Sequence, residues 1–302
     1  MKFLEKYRSG FIALVGRPNV GKSTLLNRFV GEKIAIMSDK AQTTRNKIQG
    51  VYTDQEAQII FIDTPGIHKP KHKLGQYMLD ITYDTLGEVD CIVYVFDVGQ
   101  KFGSGEQFIL GLLKKVNTPV ILLLNKIDLL QKEQLLPIIK AMSEQYSFEE
   151  IIPLSAKTGE NLSHVLDILK NYLPPGPKYY PEEMITDQPE IFLMEEMIRE
   201  KVLHLTQEEI PHSVAVKIDN LIERPENTIY LAATIYLERD SQKGILIGKK
   251  GRMLKEIGTL SRLEIEKLLG SKIFLDLHIK VKPNWRQKET ELRSLGYDKR
   301  EQ

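Results

Sequence analysis

"GRPNVGKST", residues 16–24, follows directly on the apolar run "FIALV" at 11–15. Two glycines, a lysine and a hydroxyl at the exit of a buried strand allow two readings: a tight turn into a helix, or a cradle for phosphate. Residues 16–23 match G-x-x-x-x-G-K-[ST], in which the glycines let the backbone curl until successive amides point inward and the next helix offers its positive end. On that reading Gly16, Arg17, Pro18, Asn19, Val20, Gly21, Lys22, Ser23 and Thr24 surround the phosphates. Lys22 reaches the β- and γ-phosphates and Ser23 ligates Mg²⁺. An ordinary turn would leave the adjacent lysine and serine unexplained.

Three later segments decide between the two. "DTPG" at 63–66 follows the strand-like "QIIFI"; it places Asp63 to hold Mg²⁺ and the Gly66 amide to meet a γ-phosphate. "NKID" at 125–128 follows "VILLL". Asn125 and Asp128 there suit the edge of guanine, whose ring N1–H and exocyclic amine donate to a carboxylate, and Lys126 can lie along the ring. Adenine lacks those donors, and an unpaired carboxylate is costly. "SAK" at 155–157 follows "IIPL", so that a backbone amide among Ser155, Ala156 and Lys157 can meet the guanine carbonyl. Alone, D-x-x-G and S-A-K are weak signals. All four in this order, each after a strand, are not an accident.

Over residues 10–173 the set resembles the G motifs of translation-factor-like small GTPases. The resemblance implies GTP binding and Mg²⁺-dependent hydrolysis to GDP and phosphate. In this branch the first mobile loop carries a threonine just before an arginine. In "AQTTRNKIQG" (41–50) that is Thr44, assigned to Mg²⁺ and the γ-phosphate. The metal set is then Ser23, Thr44 and Asp63, and the catalytic set Lys22, Thr44, Gly66 and Asn19. One departure matters. Ras-like enzymes place a water-orienting glutamine right after D-x-x-G, and this chain has Ile67. An aliphatic side chain cannot position water, so slow intrinsic turnover is expected. His68 and Gln76 lie nearby but outside that slot. In related GTPases with this feature an asparagine in the phosphate loop helps bind K⁺, and Asn19 stands at that position.

Bulk properties agree with a two-domain globular chain. The sequence has 302 residues, 42% hydrophobic, with net charge +1, so any basic surface is local. Its single cysteine, Cys91, sits inside "CIVYVF" and reads as a packing residue; no disulfide framework is possible, which fits a reducing cytosol. "MKFLEKYRSG" is too short and charged for a signal peptide, and no window is apolar enough to span a bilayer. Strand patterns at 11–15, 48–53, 58–62, 91–97, 119–124 and 151–154 alternate with helical ones at 22–30, 74–87, 105–116, 133–145 and 161–172. That alternation predicts an α/β domain over 1–173, a P-loop GTPase fold with a mainly parallel sheet covered on both faces.

"LPPGPKYYPEE" then marks a stiff linker, set at 174–186. Residues 187–302 read as a small α+β domain: helix, strand, strand, helix, strand, with the second helix broken near Gly258. "ILIGKKGRMLKEI" (245–257) holds a G-x-x-G turn at 248–251, between an apolar strand-like run and a helix. Such a loop lets backbone approach a nucleic-acid strand while lysines meet phosphates, which nominates Gly248, Lys249, Lys250, Gly251, Arg252 and Lys255 for RNA. Charge supports this. Residues 243–288 hold 12 Lys+Arg against 4 Asp+Glu, whereas 187–242 hold 5 against 12. Trp285 either stacks on a base or packs on the preceding domain.

This second part resembles a KH domain of the prokaryotic type (type II), and the whole chain, with its tail "LRSLGY", resembles the KH-domain-containing ribosome-assembly GTPases. That resemblance implies binding near the 3′ end of 16S ribosomal RNA and a role in maturing the 30S subunit. It also implies cytoplasmic location with peripheral association at the inner membrane; a monomer is expected. The alternative is a nucleotide-dependent RNA- or membrane-binding scaffold with negligible hydrolysis. A tRNA-modifying GTPase lacks support, since no cofactor site or reactive cysteine is visible. An assembly GTPase with two G domains is excluded by the single motif set.

Overall fold

In the computed structural model, residues 7–40, 42–224 and 228–298 are described. The N-terminal segment read as no signal peptide, in its first six positions, and Ala41 of the first mobile loop lie outside them.

The first sheet has six strands: β1 (Arg8–Val15), β2 (Ile48–Thr53), β3 (Ala57–Asp63), β4 (Cys91–Asp97), β5 (Val120–Asn125) and β6 (Glu150–Pro153), in spatial order β2-β3-β1-β4-β5-β6. Only β2 runs antiparallel to its neighbour. Helices α1 (Lys22–Val30), α2 (Lys73–Glu88), α3 (Ser104–Leu113), α4 (Leu135–Ser143) and α5 (Leu162–Asn171) cover it. Alternation along β1, β4 and β5 sends successive side chains to opposite cores. Ile12, Leu14, Val93, Val95, Ile121 and Leu123 pack with α1 and α5. Ala13, Val15, Ile92, Tyr94, Leu122 and Leu124 pack with α2, α3 and α4. Both faces are covered, as the continuous apolar runs predict. The motif loops all leave the carboxyl ends of parallel strands, where α/β sheets place ligands.

The linker is not a free spacer. Ser9 N–H bonds the Pro174 carbonyl, Ser9 Oγ the Pro177 carbonyl, and the Gln58 carboxamide oxygen accepts from both the Tyr179 and Tyr180 amides. Val51 N–H reaches Ile185 O, and Thr186 Oγ1 donates to Gln49 O at 2.6 Å. The segment is a strap tied along β1, β3 and β2.

Beyond it come α6 (Glu190–Leu205), the short α7 (Ile210–Ser213), β7 (Ala215–Arg224), β8 (Thr228–Leu237), α8 (Asp240–Ile247), α9 (Arg252–Leu269), β9 (Lys272–Val281) and α10 (Glu289–Ser294). β7 is antiparallel and β9 parallel to the central β8, and α6, α8 and α9 pack on one face of this three-stranded sheet. Two expectations need correction. The "ILI" run before G-x-x-G is the end of helix α8, not a strand; its start is fixed by the Gln242 carboxamide oxygen, which accepts from the Glu238 and Arg239 amides. α9 is also continuous through Gly258.

Candidate functional site

The loop between β1 and α1 is held by close backbone approach. Gly21 is left-handed (φ 105°), and a Cβ there would lie 2.3 Å from Asn125 Nδ2. A Cβ on Gly66 would come within 2.8 Å of Pro18 Cα. Only glycine lets the two loops meet. Lys22 is buried, and its ammonium donates to the carbonyls of Gly16 (3.3 Å) and Arg17 (3.0 Å). Burial pushes its pKa down, while Asp63 opposes that. Arg17 points away, toward Gln100 and Glu106, both at 3.3 Å.

Three oxygens from three elements converge beside this lysine. Ser23 Oγ donates to Asp63 Oδ2 at 2.6 Å, lies 3.0 Å from Thr44 Oγ1, and Thr44 Oγ1 in turn reaches Asp63 Oδ2 at 3.3 Å. Asp63 Oδ1 is buried and lacks a hydrogen-bond partner among the described residues. Burial raises the pKa of Asp63, with Lys22, Ser23 and Thr44 opposing it. Two hydroxyls and one carboxylate with an orphaned oxygen form a hard, all-oxygen set of the kind Mg²⁺ takes together with substrate phosphates. Thus the sequence-assigned trio is brought together.

The opposite wall is built by Asn125, which is 1% exposed. Its amide nitrogen donates to Val20 O (2.7 Å) and its oxygen accepts from the amides of Lys126 (2.8 Å) and Ala156 (3.0 Å). Asn125 therefore pins the phosphate loop, "NKID" and "SAK" to one another. Asp128 Oδ1 accepts from Ser155 Oγ at 2.6 Å, which orients the carboxylate. Lys126 stretches across, donating to Asn19 O (2.9 Å) and Asp97 Oδ2 (2.7 Å). Lys157 is exposed, and its carbonyl accepts from Arg28. Ile67 is buried. His68 bridges the Gly66 carbonyl and Gln42, both at 2.9 Å, and Asn19 Nδ2 donates to the Asp39 carbonyl.

A cavity of about 590 Å³ opens onto Lys22, Ser23, Thr44, Gly66 and Lys126, and part of its wall is α6, through Glu200, Lys201 and His204. Sequence reasoning missed this wall. His204 Nε2 lies 2.7 Å from Met37 O, and Glu200 accepts from the Met37 amide (2.9 Å) and Lys33 (2.6 Å). Burial raises the Glu200 pKa, but Lys201, Lys33 and that amide outweigh it and hold the carboxyl below its ordinary value.

The tightest tie is Arg45, the neighbour of Thr44. It is 2% exposed, and its guanidinium donates to Val214 O (2.6 Å), Pro211 O (3.3 Å), His212 O (3.5 Å) and Tyr297 Oη (3.0 Å). It also lies 5.7 and 5.9 Å from the ring centres of Trp285 and Tyr297. Trp285 is fully buried, donates to Ser213 O at 3.0 Å, and packs with Leu292, Leu295 and α2. Of its two readings, packing against the first domain is the one realised; base stacking is ruled out by burial.

G-x-x-G opens α9 with left-handed Gly248, Lys250 and Gly251, and Lys249 and Lys250 are exposed. Arg252 is exposed and Lys255 lines a groove of about 410 Å³ between α9 and β9, with Leu254, Gly258, Arg262, Leu275 and Leu277.

Residues 11–126 match the family described as 50S ribosome-binding GTPase, and 209–286 match the KH domain. The chain is 42% identical to a single-residue variant of Aquifex aeolicus Era bound to GDP·AlF4⁻, covering 96% of this chain and 99% of that one at a TM-score of 0.93. The chain belongs to the Era family. A second Era structure, in complex with MgGDPNP and nucleotides 1506–1542 of 16S ribosomal RNA, is 41% identical with a TM-score of 0.94 over 96% of this chain and 99% of that one. The Era architecture, a P-loop GTPase domain followed by a KH domain, is thus the one this sequence adopts; the cavity lies where α6 meets the first domain and the groove lies within the second. Among the described residues no helix is long and apolar enough to cross a membrane.

Proposed function

We propose that this chain is a GTP-hydrolysing switch that binds 16S ribosomal RNA near its 3′ end and assists 30S subunit maturation. The observation that carries it is the convergence of Ser23, Thr44 and Asp63 beside buried Lys22. In this reading residues 16–24, 63 and 66 hold the phosphates. Asn125, Lys126, Asp128 and residues 155–157 hold guanine, and Ser23, Thr44 and Asp63 hold Mg²⁺. When bound, the metal neutralises charge on the β- and γ-phosphates. Lys22 gives its ammonium to the same oxygens, and the Gly66 amide registers the γ-phosphate. Asn19 keeps its amide nitrogen on Asp39, which leaves its oxygen for a K⁺ ion that stands in for an arginine finger. Gly248, Lys249, Lys250, Gly251, Arg252 and Lys255 meet the RNA. The setting is a cytoplasmic monomer acting on the 30S subunit, with peripheral contact at the inner membrane. The boundaries are 1–173, 174–186 and 187–302.

Coupling follows from chain geometry. Thr44 and Arg45 are adjacent, so a Thr44 drawn onto Mg²⁺ and a γ-phosphate displaces or reseats Arg45 in the second domain. The tied strap makes Arg45, not the linker, the direct route. Replacing Arg45 by alanine should strip the guanidinium from four acceptors and cost about 1–3 kcal/mol of interdomain docking. Hydrogen exchange over 285–297 should rise markedly, and GTP affinity should shift with it, by the reciprocity of coupling. Unchanged exchange there would remove Arg45 from this role.

The test of the function is phosphate release from GTP against ATP, in K⁺ and in Na⁺, with and without the 16S segment. Release confined to GTP and raised by RNA supports the switch. None under any condition favours a scaffold that merely holds nucleotide. Replacing Lys249 and Lys250 by aspartate should weaken RNA binding at least 100-fold at low salt, on the order expected for two reversed phosphate contacts, with GTP affinity intact.

A further inference from the structure

α6, α8 and α9 cover only one face of the KH sheet, and the other is partly closed by Trp285, Tyr297 and α2, which meet Ala215 and Tyr236. The far end of that face carries a different surface. Ile222, Tyr230 and Phe274 are neighbours in one row across β7, β8 and β9. The Tyr230 and Phe274 rings lie 6.0 Å apart and within 16° of parallel. The Arg224 guanidinium lies 4.5 Å from the Tyr230 ring centre and 5.8 Å from that of Phe274. Phe274 is 56% exposed and Ile222 46%. No carboxylate among the described residues pairs with Arg224; the nearby Asp276 accepts instead from Tyr230 Oη at 3.1 Å.

We propose that this row is a second RNA site, where one or two unpaired bases stack on Phe274 and Tyr230 with Arg224 beside them. It rests on the reading of the α9–β9 groove as an RNA site, and it extends that site. β9 is an edge strand. Its Leu275 and Leu277 face the groove, and Phe274 alternates to the opposite face. An RNA strand leaving the groove over this edge meets Phe274 next. A KH groove holds about four nucleotides, so a longer single strand has bases to place there. The chemistry fits bases better than a protein partner: near-parallel rings with an arginine that no carboxylate among the described residues pairs offer stacking and positive charge, not a broad apolar patch.

The test compares two probes by fluorescence anisotropy on the full chain: the 1506–1542 segment of 16S ribosomal RNA, and a piece of its single-stranded part of about four nucleotides. Phe274→Leu keeps an apolar side chain and removes the ring. It should weaken the long probe about tenfold and leave the short one unchanged, and Phe274→Trp should restore the long one. The site is overturned if Phe274→Leu binds the long probe as the unaltered chain does, the result expected if the patch serves a protein partner. It is equally overturned if both probes weaken together, which would report damage to the domain. The Lys249→Asp, Lys250→Asp double variant keeps the two readings separate. Loss of both probes in that variant while Phe274→Leu is silent ends this inference and spares the groove. Retention of both probes in it ends the groove reading itself.

Discussion

Changing Lys22 to alanine is expected to abolish measurable GTP turnover, a fall of about 10²–10³-fold or more, the scale for removing one preorganised donor from a developing charge. The ammonium is held off solvent by the Gly16 and Arg17 carbonyls, so it is aimed before substrate arrives and costs no reorganisation. Its loss also leaves Asp63 without the opposite charge that offsets its burial. Binding should therefore fail along with hydrolysis. Calorimetry with Mg²⁺ and a non-hydrolysable GTP analogue measures the first, phosphate release the second, and thermal melting of the ligand-free variant checks its fold. A dissociation constant within about threefold of the unaltered chain would refute the phosphate-loop assignment.

The second large effect is one of selectivity. Asp128→Asn should reduce the preference for GTP over other purine nucleotides by up to about 10⁴, the range set by a site whose polar group loses its complement. Ser155 Oγ holds the carboxylate by a 2.6 Å hydrogen bond, so both of its oxygens have fixed directions. An asparagine keeps the shape but offers a donor where guanine also donates. The same variant should gain affinity for xanthosine triphosphate, which carries a carbonyl where guanine carries the amine. Competition among GTP, ATP and XTP for a fluorescent nucleotide reads both changes, and unaltered GTP preference would exclude Asp128 as the base reader.

The parts of the site that sequence made visible are those built from local backbone rules. The phosphate loop, α1 at Lys22–Val30, and the Ser23–Asp63 pair follow from glycine spacing and strand–helix alternation. What escaped are contacts between distant segments with no periodicity of their own. Nothing around Arg45 signals that its guanidinium seats 169 positions away on Val214, and α6 gives no hint that Glu200 and His204 wall the nucleotide cavity. The helix at Asp240–Ile247 escaped for another reason. Three apolar residues are too short a run to distinguish strand from helix by period, and its capping partner, Gln242, is not one of the usual cap residues. Gly258 suggested a break, yet it sits on the groove face of α9 near Leu277, where a small residue keeps room for a ligand.

The strap along β1, β3 and β2 has a mechanical corollary. Its last tie is Thr186 to Gln49, and α6 begins at Glu190, so the second domain hangs on a leash of only a few residues. Release of Arg45 together with the α6 contacts to Lys33 and Met37 and the Trp285 packing on α2 thus permits a swing about a fixed pivot rather than diffusion away. A short tether keeps the effective concentration of the two halves near the millimolar range, so each turnover can end with rapid return to the same seat.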